Sequence, residues 1–237
     1  MPTTLDAAVR ECVDAVDRTF GGVFERIDSW RALIEAYVDA QDGAPTVDGL
    51  DRVVESITVP ELSVDGALVI GAGFVATPGF LHDAEWHLAW WLGHANTFGV
   101  GSADPSIRRL LAEEDPGSES FRDYTTLEWW RVPTTTGARH VTGPYVDYLC
   151  TDDYTLTLTM PAHHGDRLIG VVGADLYVND VERALLAHVR GLPAATIVNA
   201  SGRVVVSTDP HRPTGSLLRN AAERIPCSTP GVALVLG

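Results

Sequence analysis

The sequence predicts an α+β protein, and three observations carry that prediction. Helical periodicity fills the first 58 residues. Three consecutive strand patterns fill the middle of the chain, and one amphipathic helix follows them before a short hairpin.

In the N-terminal part, Leu5, Val9, Cys12, Val13, Val16 and Phe20 form one apolar stripe, and Val23, Ile27, Trp30, Ile34 and Tyr37 continue it past Gly21-Gly22. Charged residues fill the opposite face, so the spacing predicts one long helix or two abutting ones, broken near the glycine pair and ended around Asp42-Gly43. A second helix is expected over Thr46–Ile57, with Pro45 at its start. Residues 1–58 are read as a helical segment of the same domain that residues 59–237 complete.

Strand chemistry then takes over. Ala67–Ala76, Glu85–Leu92 and Ile107–Glu113 are expected strands, and Ser120–Trp130 is expected to be helical or turn-like. His140–Cys150, Tyr154–Pro161 and Arg167–Leu176 read as three successive antiparallel strands, the middle one alternating strictly. His163-His164-Gly165-Asp166 is the expected turn into the third. Asn179–Arg190 is an amphipathic helix capped by Asn179 or Asp180. Thr196–Asn199 and Arg203–Ser207 make a hairpin, and the C-terminal VALVL adds a last short strand.

Composition narrows the function. Of 237 residues, 45% are hydrophobic and 21% charged, as in ordinary globular proteins. No run approaches the roughly 20 apolar residues of a membrane helix, and the acidic N-terminus lacks the apolar core of a signal peptide. Seventeen Lys and Arg against 32 Asp and Glu give a formal charge of −15, which repels nucleic acid and anionic membranes. Cys12, Cys150 and Cys227 are scattered and odd in number, which fits a reducing compartment; the expected location is the cytoplasm.

Several motifs carry less than they first promise. Gly71-x-Gly73-x-x-Ala76 follows an apolar strand like a dinucleotide fingerprint. That motif needs a helix starting at the glycines, yet Pro78 and Gly79 fall inside it, where proline costs about 3 kcal/mol. Glycines in a buried or curved strand are the better account. His82, Asp83, Glu85 and His87 cluster, as do His163, His164 and Asp166, without metal-ligand spacing. No nucleophile elbow is present. No cofactor or metal is expected.

The stretch from Tyr124 to Asp175 is richer. Trp129, Trp130, Tyr145, Asp147 and Asp175 lie on, or just before, strands expected to be neighbours, and Tyr145 and Asp147 share a face. Asp175 sits inside the apolar run LIGVVGADLYV, a costly place for a charge. Either it faces a cation, which aromatic neighbours would help hold by about 0.5–2 kcal/mol, or it caps a turn before the next helix while the tryptophans are core.

These residues resemble a known family. Trp129-Trp130, Pro144-Tyr145-x-Asp147, a strand ending at Pro161, and Gly170-Val-Val-Gly173-Ala-Asp175 stand in the order found in Cache sensor domains, over about residues 120–210. The resemblance implies a PAS-like antiparallel sheet with a long N-terminal helix and a ligand pocket on one face. In the amino-acid-binding branch it further implies that Tyr145, Asp147 and Asp175 hold the ligand's amino group. That branch has an arginine two residues before the aromatic pair, where this chain has Leu127, so the expected ligand is a small amine rather than a standard α-amino acid.

The expectation is therefore a free-standing ligand sensor, with a homodimer through the N-terminal helix and a separate regulator as its partners. Two alternatives are a small hydrolase or lyase using Asp147 and Asp175 as acid and base, and a ligand-free dimeric scaffold.

Overall fold

The computed structural model describes residues 4–98, 106–146, 153–218 and 223–237. The long N-terminal stripe forms a single helix, α1 (Thr4–Asp39), which runs through Gly21-Gly22 without a break. Each glycine costs a helix about 1 kcal/mol, and burial of Phe20, Val23, Phe24 and Ile27 around the pair outweighs that cost. Helix α2 (Val47–Leu62) begins with the Thr46 side chain accepting from Gly49 N–H and continues five residues beyond Ile57, past Pro60.

Strands β1 (Val69–Ala76), β2 (Leu88–Leu92), β3 (Arg108–Arg109), β4 (His140–Val146), β5 (Tyr154–His164) and β6 (Arg167–Tyr177) make one antiparallel sheet in the order β3-β2-β1-β6-β5-β4. The expected strand over Ile107–Glu113 shrinks to two residues paired with Trp91 and Leu92. Between β3 and β4, a 3-10 turn at Tyr124–Thr126 leads into helix α3 (Glu128–Thr136). The tryptophan pair therefore sits on a helix packed on the sheet, not on a strand.

Helix α4 (Val178–Arg190) follows β6 directly. It starts at Val178 with no side-chain cap, so neither Asn179 nor Asp180 caps it; Asp180 instead pairs with Arg183 at 2.7 Å. Its buried stripe of Val178, Val181, Leu185 and Val189 matches the predicted amphipathic face. The rest of the chain builds a second sheet from β7 (Ala195–Val198), β8 (Val204–Ser207), β9 (Arg224–Pro226) and β10 (Ala233–Leu236), in the order β8-β7-β10-β9. Asp17 of α1 accepts the backbone N–H groups of Ser228 and Thr229, both at 3.0 Å, which ties this C-terminal unit to the same long helix.

Alternation along the large sheet separates its two faces. Ala72, Phe74, Trp91, Leu156, Leu158, Val172 and Ala174 point toward α1 and α2 and join the main core. Val75, Leu88, Trp90, Leu92 and Val171 point the other way, into a second cluster with Tyr124, Trp129 and Trp130. The candidate site belongs to this second face.

Candidate functional site

The site begins with the alternation of β5. Register places Thr157 between Thr142 on β4 and Asp175 on β6, and Asp175 opposite Gly71 on β1. Cross-strand partners share a face, so Thr155, Thr157 and Thr159 line the side opposite α1 and α2, where all three are buried. A bulge between Thr142 and Tyr145 on β4 sets Tyr145 opposite Thr155.

From that placement a hydrogen-bond chain follows. Tyr145 Oη and Thr157 Oγ1 lie 2.8 Å apart, and the Thr157 hydroxyl donates to Asp175 Oδ1 at 2.7 Å. With its one proton given to the carboxylate, Thr157 accepts from the tyrosine. Asp175 is 1% exposed. A carboxyl group this buried is costly unless it is well hydrogen-bonded or paired, and the Thr157 hydroxyl supplies one such bond.

The glycines of the misleading dinucleotide pattern have a structural task here. Gly73 admits the close approach of β2, since a Cβ there would lie 2.1 Å from Ala89 O and 2.8 Å from Trp90 Cα. A Cβ on Gly71 would meet Trp90 Nε1 at 3.0 Å and Asp175 Oδ2 at 3.4 Å, and one on Gly173 would meet Trp90 Cη2 at 3.3 Å. The Trp90 indole thus reaches across from β2 over a floor of glycines on β1 and β6, with its N–H edge beside the Asp175 carboxylate.

Above this floor, Tyr124, Trp129 and Trp130 form an aromatic layer. Tyr124 stacks on Trp129 with centroids 6.3 Å apart, tilts against Trp130 at 5.2 Å, and donates its hydroxyl to Ala76 O at 2.7 Å. Tyr145 packs against the same cluster. Among the described residues, four buried polar atoms on this side of the sheet have no hydrogen-bond partner: Trp90 Nε1, Trp129 Nε1, Thr142 Oγ1 and Thr159 Oγ1.

Of the residues singled out in the sequence, Tyr145 and Asp175 are joined through Thr157, and Trp129 and Trp130 lie in the aromatic layer. Asp147 lies outside the described residues. Sequence reasoning missed Trp90 and Thr157. The threonine alternation in YTLTLTMP was the available signal for Thr157; Trp90 looked like one more apolar residue in EWHLAWWL.

Arginine does not enter the site from the two nearby positions. Arg131 is exposed, and Arg139 lies over the Phe24 ring of α1 at 5.4 Å, on the helix side. Leu127, at the start of α3, packs against the aromatic cluster.

The histidine cluster serves the fold. His87, 1% exposed, has Nε2 2.8 Å from Asp51 Oδ1 of α2, and Nδ1 forms an ion pair with Glu114 Oε1 at 2.9 Å rather than an aligned hydrogen bond. Arg109 reaches Asp51 Oδ2 at 2.8 Å. Burial by itself lowers the His87 pKa, but the two carboxylates outweigh it and raise the value to about 9. Asp83 accepts Val47 N–H at the start of α2. Among the described residues, no group of three His, Cys, Asp or Glu side chains is arranged to hold a metal ion.

With this geometry in hand, the likenesses to known proteins are specific. Residues 111–183 match the family model for the first PDC sensor domain of methyl-accepting chemotaxis protein-like receptors. The ligand-binding domain of the Pseudomonas fluorescens chemoreceptor CtaA, crystallised with L-valine, superposes with a TM-score of 0.61 at 16% identity over 98% of this chain and 93% of that one. The fold is that of a Cache, or PDC, sensor domain.

Other Cache structures agree. The domain of Pseudomonas aeruginosa PctB with L-Gln gives a TM-score of 0.60 at 17% identity, over 99% of this chain and 88% of that one. The domain of PctC from the same organism, in complex with GABA, gives 0.53 at 13%, over 95% and 94%. No curated protein matches the sequence. The long first helix, the antiparallel sheet and the flanking helices expected of a Cache fold are all present.

Proposed function

We propose that this chain is a ligand-binding sensor for a small amine, which docks its ammonium group against Asp175 on the aromatic face of the large sheet. The observation that carries the proposal is the buried chain Tyr145–Thr157–Asp175 beside Trp90 and Trp129. It fixes one carboxylate oxygen and leaves the aromatic surface to favour a cation by charge and by cation–π attraction. The chemoreceptor domains that superpose on it were solved in complex with L-valine, L-Gln and GABA, which all carry an amino group.

Leu127 separates this chain from a standard amino-acid receptor. It puts a hydrocarbon side chain against the aromatic cluster where the amino-acid branch has a guanidinium for the ligand's carboxylate. Asp147 is included in the proposal as a second carboxylate for the ammonium. The proposal extends to a cytoplasmic setting, with pairing through the exposed side of α1 and a separate regulator receiving the signal.

Titration calorimetry against a panel of amines, α-amino acids and small carboxylates tests it. The expected outcome is binding of amines that Asp175→Asn abolishes while the variant stays folded. A ligand at a hundred times its Kd adds about 2.7 kcal/mol to stability, so a parallel melting series registers the same event. Silence across all amines, or binding indifferent to Asp175→Asn, overturns the reading. Consumption of any panel compound transfers the carboxylates to the hydrolase or lyase alternative.

A further inference from the structure

Beside His87 runs a segment that the proposed function leaves unused. Residues 111–122 join the short strand β3 to the 3-10 turn at Tyr124, and none of them is buried, although Leu110 before them and Tyr124 after them are. Leu111 is 84% exposed. Among the described residues, the hydrogen bonds of this segment stay within it, from Asp115 N–H on Glu113 Oε1 to Arg122 on the carbonyls of Glu119 and Phe121. Glu114 is the exception. Its Oε1 accepts Leu88 N–H at 3.1 Å and lies 2.9 Å from His87 Nδ1. His87 is held from its other nitrogen by Asp51 of α2 at 2.8 Å, so Glu114 grips a fixed point.

Beneath the segment lies one flank of the aromatic layer. The Phe121 ring meets Trp86 edge-on at 4.9 Å, and Trp86 meets Tyr124 in the same way at 5.1 Å. A void of about 20 Å³, room for one water, remains between the segment and Trp86, Leu88 and Tyr124. These three belong to the cluster that holds Trp90, Trp129 and Trp130. Both ends are fixed, since Leu110 N–H donates to Trp90 O at 2.8 Å and the Tyr124 hydroxyl to Ala76 O at 2.7 Å. A stretch tied at its ends, with few buried contacts between them, opens locally before the domain unfolds, and lids over ligand sites are drawn from such stretches. Building on the reading of this aromatic face as the ligand site, we infer that residues 111–122 are a strap that opens to admit the ligand, and that Glu114, through Leu88 and His87, is its latch. Opening breaks the two Glu114 contacts and the Phe121–Trp86 contact, and no strand or helix hydrogen bond among the described residues.

Limited trypsin digestion of the whole protein, with the fragments read by mass, tests the latch without a ligand. Arg122 lies in the strap and Arg190 ends α4, and both are exposed. Cutting follows the population of the open form. Glu114→Ala should speed the cut after Arg122 about tenfold or more, the share of one charge-assisted contact, and leave the cut after Arg190 at the wild-type rate. Acrylamide, a small neutral quencher of tryptophan fluorescence, should quench the same variant more strongly, since Trp86, Trp90, Trp129 and Trp130 all lie on this side. Phe121→Ala loosens the strap without touching His87 and should speed the same cut by a smaller factor, which keeps the inference testable if Glu114→Ala folds poorly. Unchanged cutting after Arg122 in both variants, equal acceleration after Arg190, or unchanged quenching overturns the inference and leaves the amine sensor standing. Silence of every amine in the calorimetry panel overturns the amine reading instead, and the cutting and quenching results still decide the strap.

Discussion

The two faces of the large sheet are made by the same strands and obey different rules. Toward α1 and α2, alternate residues are Ala72, Phe74, Leu156, Leu158, Val172 and Ala174, an apolar layer with no polar atoms to satisfy. Toward α3, the same strands present Gly71, Gly73, Thr155, Thr157, Thr159, Gly173 and Asp175, with four unpartnered buried polar atoms nearby. The first face is composed for stability. The second keeps donors, acceptors and a carboxyl group out of water at a cost in stability, and it is the face on which the proposed amine site lies. One-residue alternation is enough to keep the two purposes apart.

The largest expected effect breaks the stable face. Phe24→Ala removes a fully buried ring from the α1 side and should cost about 3–5 kcal/mol in urea unfolding. The order of amine affinities should not change among molecules that remain folded; a changed order would mean the two faces are not independent.

A smaller effect tests the clamp at the sheet edge. His87 has its folded pKa raised to about 9 by Asp51 and Glu114, against an ordinary value near 6.5. A raised pKa contributes stability that is fully present below the unfolded value and is lost as pH climbs through the folded one. Stability should therefore fall by about 2–3 kcal/mol between pH 6.5 and pH 9. Glu114 is held below the usual carboxylate range: burial opposes this, but the His87 contact outweighs it. Its contribution runs the other way, present above its unfolded value and lost in acid. His87→Gln should flatten the alkaline limb, and a limb of unchanged slope would assign it to another group.

The smallest expected effect sharpens the contrast. Thr157→Val removes the hydroxyl between Tyr145 and Asp175 at constant shape, for a stability change of only about 1–2 kcal/mol. On the binding face its main expression should be in affinity, about a tenfold loss for amines by calorimetry. Loss of stability without loss of affinity would make Thr157 a packing residue.

Much of this was legible in the sequence where the signals were local. The alternation of YTLTLTMP, the amphipathic stripe of α4 and the long stripe of α1 each depend on neighbours within one element. The order of the aromatic pair, Tyr145 and Asp175 was enough to suggest the Cache fold. Where reasoning failed, the deciding partner was distant. Gly21-Gly22 reads as a break until the burial of Phe20 and Phe24 against the rest of the core is counted. Trp90 reads as core until β1 and β6 bring Gly71 and Gly173 beneath it, residues 19 positions before it and 83 after it. His87 reads as one member of a His/Asp/Glu cluster until α2 supplies Asp51.

Strand β5 has one further property. Thr157 touches Asp175 on one side, while Leu156 and Leu158, its immediate neighbours, sit in the core beneath α1 on the other. The hydroxyl that holds Asp175 and the side chains packed under the helix that runs about 54 Å along the molecule thus belong to adjacent residues. A rotation of that peptide that shifts the Thr157 hydroxyl also shifts a leucine packed in the core on the other face.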